Sequence, residues 1–103
     1  MKSPADCADM KDIRAEIDRL DHALMALFAE RVGYIDRAAQ IKQVAALPAR
    51  ITARVEEVVA NVRDHAERLN LPPELYERLW RELIDWSIAR EEAHLSKELP
   101  NDR

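Results

Sequence analysis

Apolar residues recur three and four apart along the first part of the chain, at Met10, Ile13, Ile17, Leu20, Leu24 and Leu27. That spacing is the seam of a helix packing lengthwise against other helices. Asp9 has the short acceptor side chain of an N-cap, so the pattern predicts a helix from about Asp9 to about Ala46. A second stripe, Ile51, Val55, Val58, Val62 and Leu69, predicts a helix over about Arg50 to Leu69. Asn70 then suits a left-handed C-terminal position. A third helix begins near Pro73, a good first-turn residue, and carries Leu75, Leu79, Trp80, Leu83, Ile84, Ile88 and Leu95. The breaks fall at Pro4, Pro48, Pro72-Pro73 and Pro100, where a helix interior would lose an N–H and clash with its own turn. No segment alternates apolar and polar residues as a half-buried strand does. The predicted fold is all-α: a three-helix subunit with one very long N-terminal helix, forming a single domain over residues 1–103.

The first helix is long for such a chain. At a rise of about 1.5 Å per residue it would be a rod of over ~50 Å, whereas a compact domain of this size has a radius of gyration of about 13 Å. Two shorter helices cannot cover both ends. The economical arrangement is an intertwined homodimer in which two long helices pack along each other.

Polar residues interrupt these stripes. Continuing the first seam lands on Arg31, and Lys42 borders it further along. Eleven residues separate the two, close to three turns, so they face the same way about 16 Å apart. Arg54 opens the second stripe. On the third helix the line 80, 84, 87, 91 is mostly apolar, yet it carries Ser87 and Glu91. Arg14 lies seventeen residues before Arg31, about 100° around the helix, and would reach a shared pocket more easily from the partner subunit. Singly, an Arg on a helix stripe is a rim residue or half of a salt bridge. Collectively, cations on buried stripes need partners, because buried charge is costly when unpaired. A small dianionic ligand would supply them. Gly33 in mid-helix reads as a close-packing position, and Trp80 and Trp86 as core aromatics.

Composition narrows the choice. One Gly excludes glycine-rich phosphate loops, and one Cys, Cys7, excludes an internal disulfide and Cys-based zinc clusters. His22, His65 and His94 lie on different segments without metal-ligand spacing. No metal and no cofactor is therefore expected. The net charge of −4 argues against nucleic acid as a partner. No apolar run approaches the roughly 18 residues of a membrane span, so no membrane partner is expected. The polar, acidic opening MKSPADCADMKD is unlike a signal peptide, so a cytoplasmic protein is expected. Twelve of the sixteen Lys and Arg are Arg, the residue suited to bidentate carboxylate binding. No nucleophile–base set is visible, so chemistry in such a pocket must come from positioning and electrostatics.

The run DIRAEIDRLDHALMALFAERVGYIDRAAQIK, with TARVEEVV and DWSIAREE, resembles the all-helical chorismate mutases over nearly the full chain. The opening SPADCADMKDIRAEIDRLD and Trp86 are similar to the isochorismate-pyruvate lyase branch of the same fold. The resemblance implies an intertwined homodimer acting on a small molecule. Arg14 from the partner subunit, Arg31, Lys42 and Arg54 would hold the two carboxylates of chorismate. Lys42 and Glu91 would face its ether oxygen, with Ser87 at the substrate. Three positions bear on the branch. The mutases usually carry Gln where Glu91 stands, an acid at the positions of Ile51 and Val55, and a match to Ser87. Chorismate mutase is the reading adopted. An isochorismate-pyruvate lyase releasing salicylate and pyruvate is the alternative. A non-catalytic helical dimerisation module is the third, and it predicts that Arg31 and Lys42 pair with carboxylates of the protein itself.

Overall fold

The computed structural model describes residues 1–98. A short 3-10 turn, Pro4–Asp6, precedes three helices: α1, Met10–Ala45; α2, Thr52–Arg68; and α3, Pro73–Glu98. No strand occurs among the described residues, as the hydrophobic periodicity predicts. The break expected at Pro100 lies outside the described residues. Two compact units are distinguished, residues 1–34 and the residues from Ile35 onward.

The first unit is the start of α1 and its cap. The backbone N–H of Asp12 donates to Asp9 Oδ1 at 2.9 Å, so Asp9 is the N-cap that its side chain suggests. Asp12 in turn accepts from the Ala8 N–H at 3.0 Å and pairs with Lys2 at 3.1 Å. These two groups hold the Asp12 carboxyl below its ordinary range. The predicted seam is exposed in the single chain: Leu20 and Leu24 are each 50% exposed, Leu27 60% and Met10 58%. Gly33 is not a close-packing position in this chain, because a Cβ built there would meet nothing within 4 Å.

The second unit holds the core. Ala49, Val55, Val59, Ile84 and Ile88 form it, with Val58, Trp80 and Leu95 packed against them. The buried stripe of α2 is Val55, Val59 and Ala66. The expected stripe shifts accordingly: Leu69 is 69% exposed and Ile51 lies at the helix start, also exposed. Val58 and Val59 lie three and four residues after Val55, and packing against α3 buries Val59 the more fully. Trp86 is likewise not a core aromatic; it is half exposed, while Trp80 packs against the core.

Both helix ends that border the core close in the same way. Ala46 and Asn70 take left-handed backbone angles, φ 57° and 58°. The N–H of Leu47 reaches the carbonyl of Lys42 at 2.8 Å, and that of Leu71 reaches Ala66 at 2.8 Å. Each is a C-terminal cap that satisfies otherwise orphaned carbonyls, followed at once by proline. Asn70 was legible as such a residue. Ala46 was not, since an alanine carries a steric penalty there that asparagine largely avoids.

Charge stitches α2 to α3. Arg81 places both terminal nitrogens on Glu56, at 3.0 and 3.2 Å, and its Nε on Glu77 at 2.8 Å. Arg63 also donates to Glu77, at 2.8 Å. Hydrogen bonds from Arg81 hold the Glu56 and Glu77 carboxyls below their ordinary value of 4.5. Groups whose pKa is lowered by folding contribute stability above the unfolded value and lose it as the folded value is crossed downward. Thermal unfolding followed by circular dichroism should therefore show a falling midpoint as pH drops below 4.5. Arg81→Gln should make that fall shallower.

Candidate active site

Lys42 lies in the last turn of α1 and points its ammonium between the α1–α2 connection and α3. Its Nζ donates to the carbonyl of Ala49 at 2.6 Å and to Glu91 Oε1 at 2.6 Å. The capped end of α1 fixes the Lys42 backbone, and Pro48 brings the buried Ala49 round to meet its side chain. Glu91 is 5% exposed and Ser87, one turn earlier, 3%. The line Trp80, Ile84, Ser87, Glu91 thus faces inward, as its spacing predicts. Ser87 Oγ donates to the Leu83 carbonyl at 2.9 Å, within its own helix.

The remaining site residues are differently disposed. Arg54 is exposed and its guanidinium engages Glu57 one turn further along α2. It does not lie on the buried stripe, because Val55 is the residue that α2 turns inward. Arg14 is exposed and Arg31 half-buried, both in the first unit. Of the six residues read from sequence, the second unit therefore brings Lys42 and Glu91 into direct contact. Sequence reasoning missed two features. One is the Ala49 carbonyl, which no residue type can announce. The other is a bidentate pair between Asp36 and Arg90 on α1 and α3.

What can this arrangement do? An ammonium has three donors, and two are engaged by protein. The third is available to an acceptor brought by a ligand. Opposite it stands a carboxyl that accepts when ionised and donates when protonated. The chemistry on offer is a fixed charge facing a second, protonatable group.

The profile of chorismate mutase type II matches residues 13–92, a span that contains all six site residues. The chain belongs to the chorismate mutase type II family. It is 34% identical to an isochorismate pyruvate lyase of Pseudomonas aeruginosa over 92 residues, 88% of this chain and 89% of the relative. It is 31% identical to a T-protein of Enterobacter agglomerans over 84 residues, 82% of this chain but 22% of that protein. A bifunctional chorismate mutase/prephenate dehydratase of Aquifex aeolicus is 30% identical over 90 residues, 81% of this chain and 24% of its own length. The chain thus spans about a quarter of these larger relatives. The non-catalytic module predicted a protein carboxylate on Lys42, which Glu91 supplies. Membership of this enzyme family nevertheless makes the chain an enzyme.

Lys42 reads from the sequence as an unpaired buried cation whose removal would relieve the fold. The pair with Glu91 reverses that expectation, since removing one partner strands the other. Lys42→Met should destabilise the protein by about 3 kcal/mol, while Lys42→Met combined with Glu91→Leu should recover most of the loss. Urea unfolding of the two single variants and the double variant measures this coupling.

Proposed function

We propose that this chain is a cytoplasmic, homodimeric chorismate mutase, acting as a single domain over its 103 residues and without a cofactor. The observation that carries the reading is the partly buried Lys42 ammonium, held by Ala49 and facing Glu91. In the rearrangement of chorismate to prephenate a C–O bond breaks as a C–C bond forms, and negative charge grows on the ether oxygen. A fixed ammonium at that oxygen is favoured more in the transition state than in the ground state, and this difference lowers the barrier. Arg31, Arg54 and the partner subunit's Arg14 would grip the two carboxylates and hold the substrate in its compact reactive conformer.

Glu91 gives the site a proton requirement. As a carboxylate it accepts from Lys42 and would repel charge building on the ether oxygen; as an acid it donates a hydrogen bond there. Turnover should therefore rise as pH falls from about 8 towards 5. Glu91→Gln should flatten that profile and raise activity at neutral pH, because an amide donates without a proton. Arg31→Ala and Lys42→Ala should each reduce kcat/KM by about 10²–10³. Incubation with chorismate, followed by assay for prephenate across pH, tests all three variants. Wild-type activity that declines on acidification while the protein stays folded would remove Glu91 from the ether oxygen.

The dimer has its own support. The apolar seam of α1, half exposed in one chain, is continuous from Met10 to Leu27. A patch of that kind is an interaction surface, and a second copy of the same seam suits it. Sedimentation at micromolar concentration should show twice 11.9 kDa. A folded monomer would overturn the trans role of Arg14.

Lyase chemistry on isochorismate is the second reading. It is favoured by the Pseudomonas aeruginosa relative, which matches along 89% of its own length. Apolar Ile51 and Val55, where mutases place an acid, point the same way. Salicylate formed from isochorismate faster than prephenate from chorismate would select it.

A further inference from the structure

Arg90 precedes Glu91 on α3 and turns outward. Its Nε donates to Asp36 Oδ1 at 2.6 Å and its Nη2 to Asp36 Oδ2 at 3.1 Å, a bidentate fork between α3 and α1. The guanidinium also lies over the Trp86 ring, 5.5 Å from its centroid. Arg90 is therefore held on one side by a carboxylate and on the other by an aromatic face. Its hydrogen bonds keep the Asp36 carboxyl below the usual range, and His94 adds a smaller pull in the same direction.

The placement of this pair matters more than its strength. Asp36, Ala39 and Lys42 follow one another at intervals of three along α1, and Ala39 between them is fully buried. The two ends of this row are tied to adjacent residues of α3: Asp36 to Arg90, and Lys42 to Glu91. One residue of an α-helix corresponds to about 100° of rotation and 1.5 Å of rise. Fixing Arg90 on Asp36 therefore sets both the rotation and the height of Glu91 relative to Lys42.

The two ties have different fates in a reaction. On the chorismate mutase reading the Lys42–Glu91 bond is the one that opens, because Glu91 must turn to the ligand while Lys42 already has a donor to spare. Nothing in that step requires the Asp36–Arg90 bond to change. Exposed ion pairs contribute little to stability, and this one is nearly half exposed on both sides, 45% and 46%. A bidentate fork with a stacked guanidinium nevertheless has the directional geometry that restrains position.

We propose that Asp36 and Arg90, backed by Trp86, are positioning residues: a second tie between α1 and α3 that keeps Lys42 in register with Glu91 when their own bond opens to substrate. Its kinetic consequence rests on the chorismate mutase reading; its geometry does not.

The test uses the full chain with Asp36→Asn, Arg90→Gln, Arg90→Lys, and a charge-swapped double variant carrying Asp36→Arg and Arg90→Asp. Two readouts are taken: kcat and KM on chorismate, and the ¹⁵N signal of the Lys42 ammonium without substrate. Misplacing a reacting group by about 1 Å costs up to roughly 10²-fold in rate, so Asp36→Asn and Arg90→Gln should each lower kcat about tenfold or more. KM should change less, and the ammonium signal should broaden. Arg90→Lys, which keeps the charge but loses the fork, should fall between. The swapped variant should recover most of kcat and the sharp signal, which loss of a merely local contact would not allow. Single variants with wild-type kcat and an unchanged ammonium signal would overturn the proposal. So would a folded swap variant as impaired as the singles, or unfolding of Asp36→Asn, which would make the pair a structural staple. Wild-type protein that turns over neither chorismate nor isochorismate would sink the catalytic reading instead, and the ammonium signal would still decide the tie.

Discussion

The site depends on one partly buried contact, the 2.6 Å bond from the Lys42 ammonium to Glu91. Taking two charges from water is expensive, and their attraction offsets the cost only when geometry is good and spare donors are satisfied. The Ala49 carbonyl supplies the second partner. For that carbonyl to be in reach, α1 must end where it does, Ala46 must take its left-handed angle, and Pro48 must turn the chain towards α2. The core of Val55, Val59, Ile84 and Ile88 then holds α3 with Glu91 facing the ammonium. Each local device bears on where a single nitrogen sits.

That nitrogen is also the point at which fold and function pull in opposite directions. A salt bridge that is satisfied by protein needs no ligand, yet in the proposed function Glu91 must be able to leave the ammonium for the substrate. The two demands are compatible because Glu91 is a carboxyl rather than an amide. Its protonation weakens its hold on Lys42 and creates a donor at the same time. An amide would offer the donor permanently and would give up the charge pairing.

Elsewhere, charge serves as fastening rather than chemistry. Arg81 with Glu56 and Glu77, Arg63 with Glu77, and Arg50 with Asp85 join α2 and its approach to α3 on the solvent side. Such pairs are individually weak. Their use here suits a small core built mainly from valine, isoleucine and alanine, which buries limited apolar area. These fasteners account for part of the Arg-rich composition.

Helix number, type and approximate bounds were legible in the sequence, because a period of three to four and the prolines are local signals that tertiary contacts did not override. The cap at Asp9, the left-handed Asn70 and the inward line of Trp80, Ile84, Ser87 and Glu91 were legible for the same reason. Chemistry-bearing residues could be nominated, since polar groups on apolar lines stand out. What each nominee touches could not be read. The shift of the α2 stripe to Val59 and Ala66, the outward turn of Arg54 and the exposure of Trp86 all depend on which face of one helix another helix covers. The partner of Lys42 lies 49 residues away and its other acceptor is a backbone atom. Pairings of that kind are decided only when helices dock, because sequence spacing sets the direction of a side chain along its own helix and says nothing of what stands opposite.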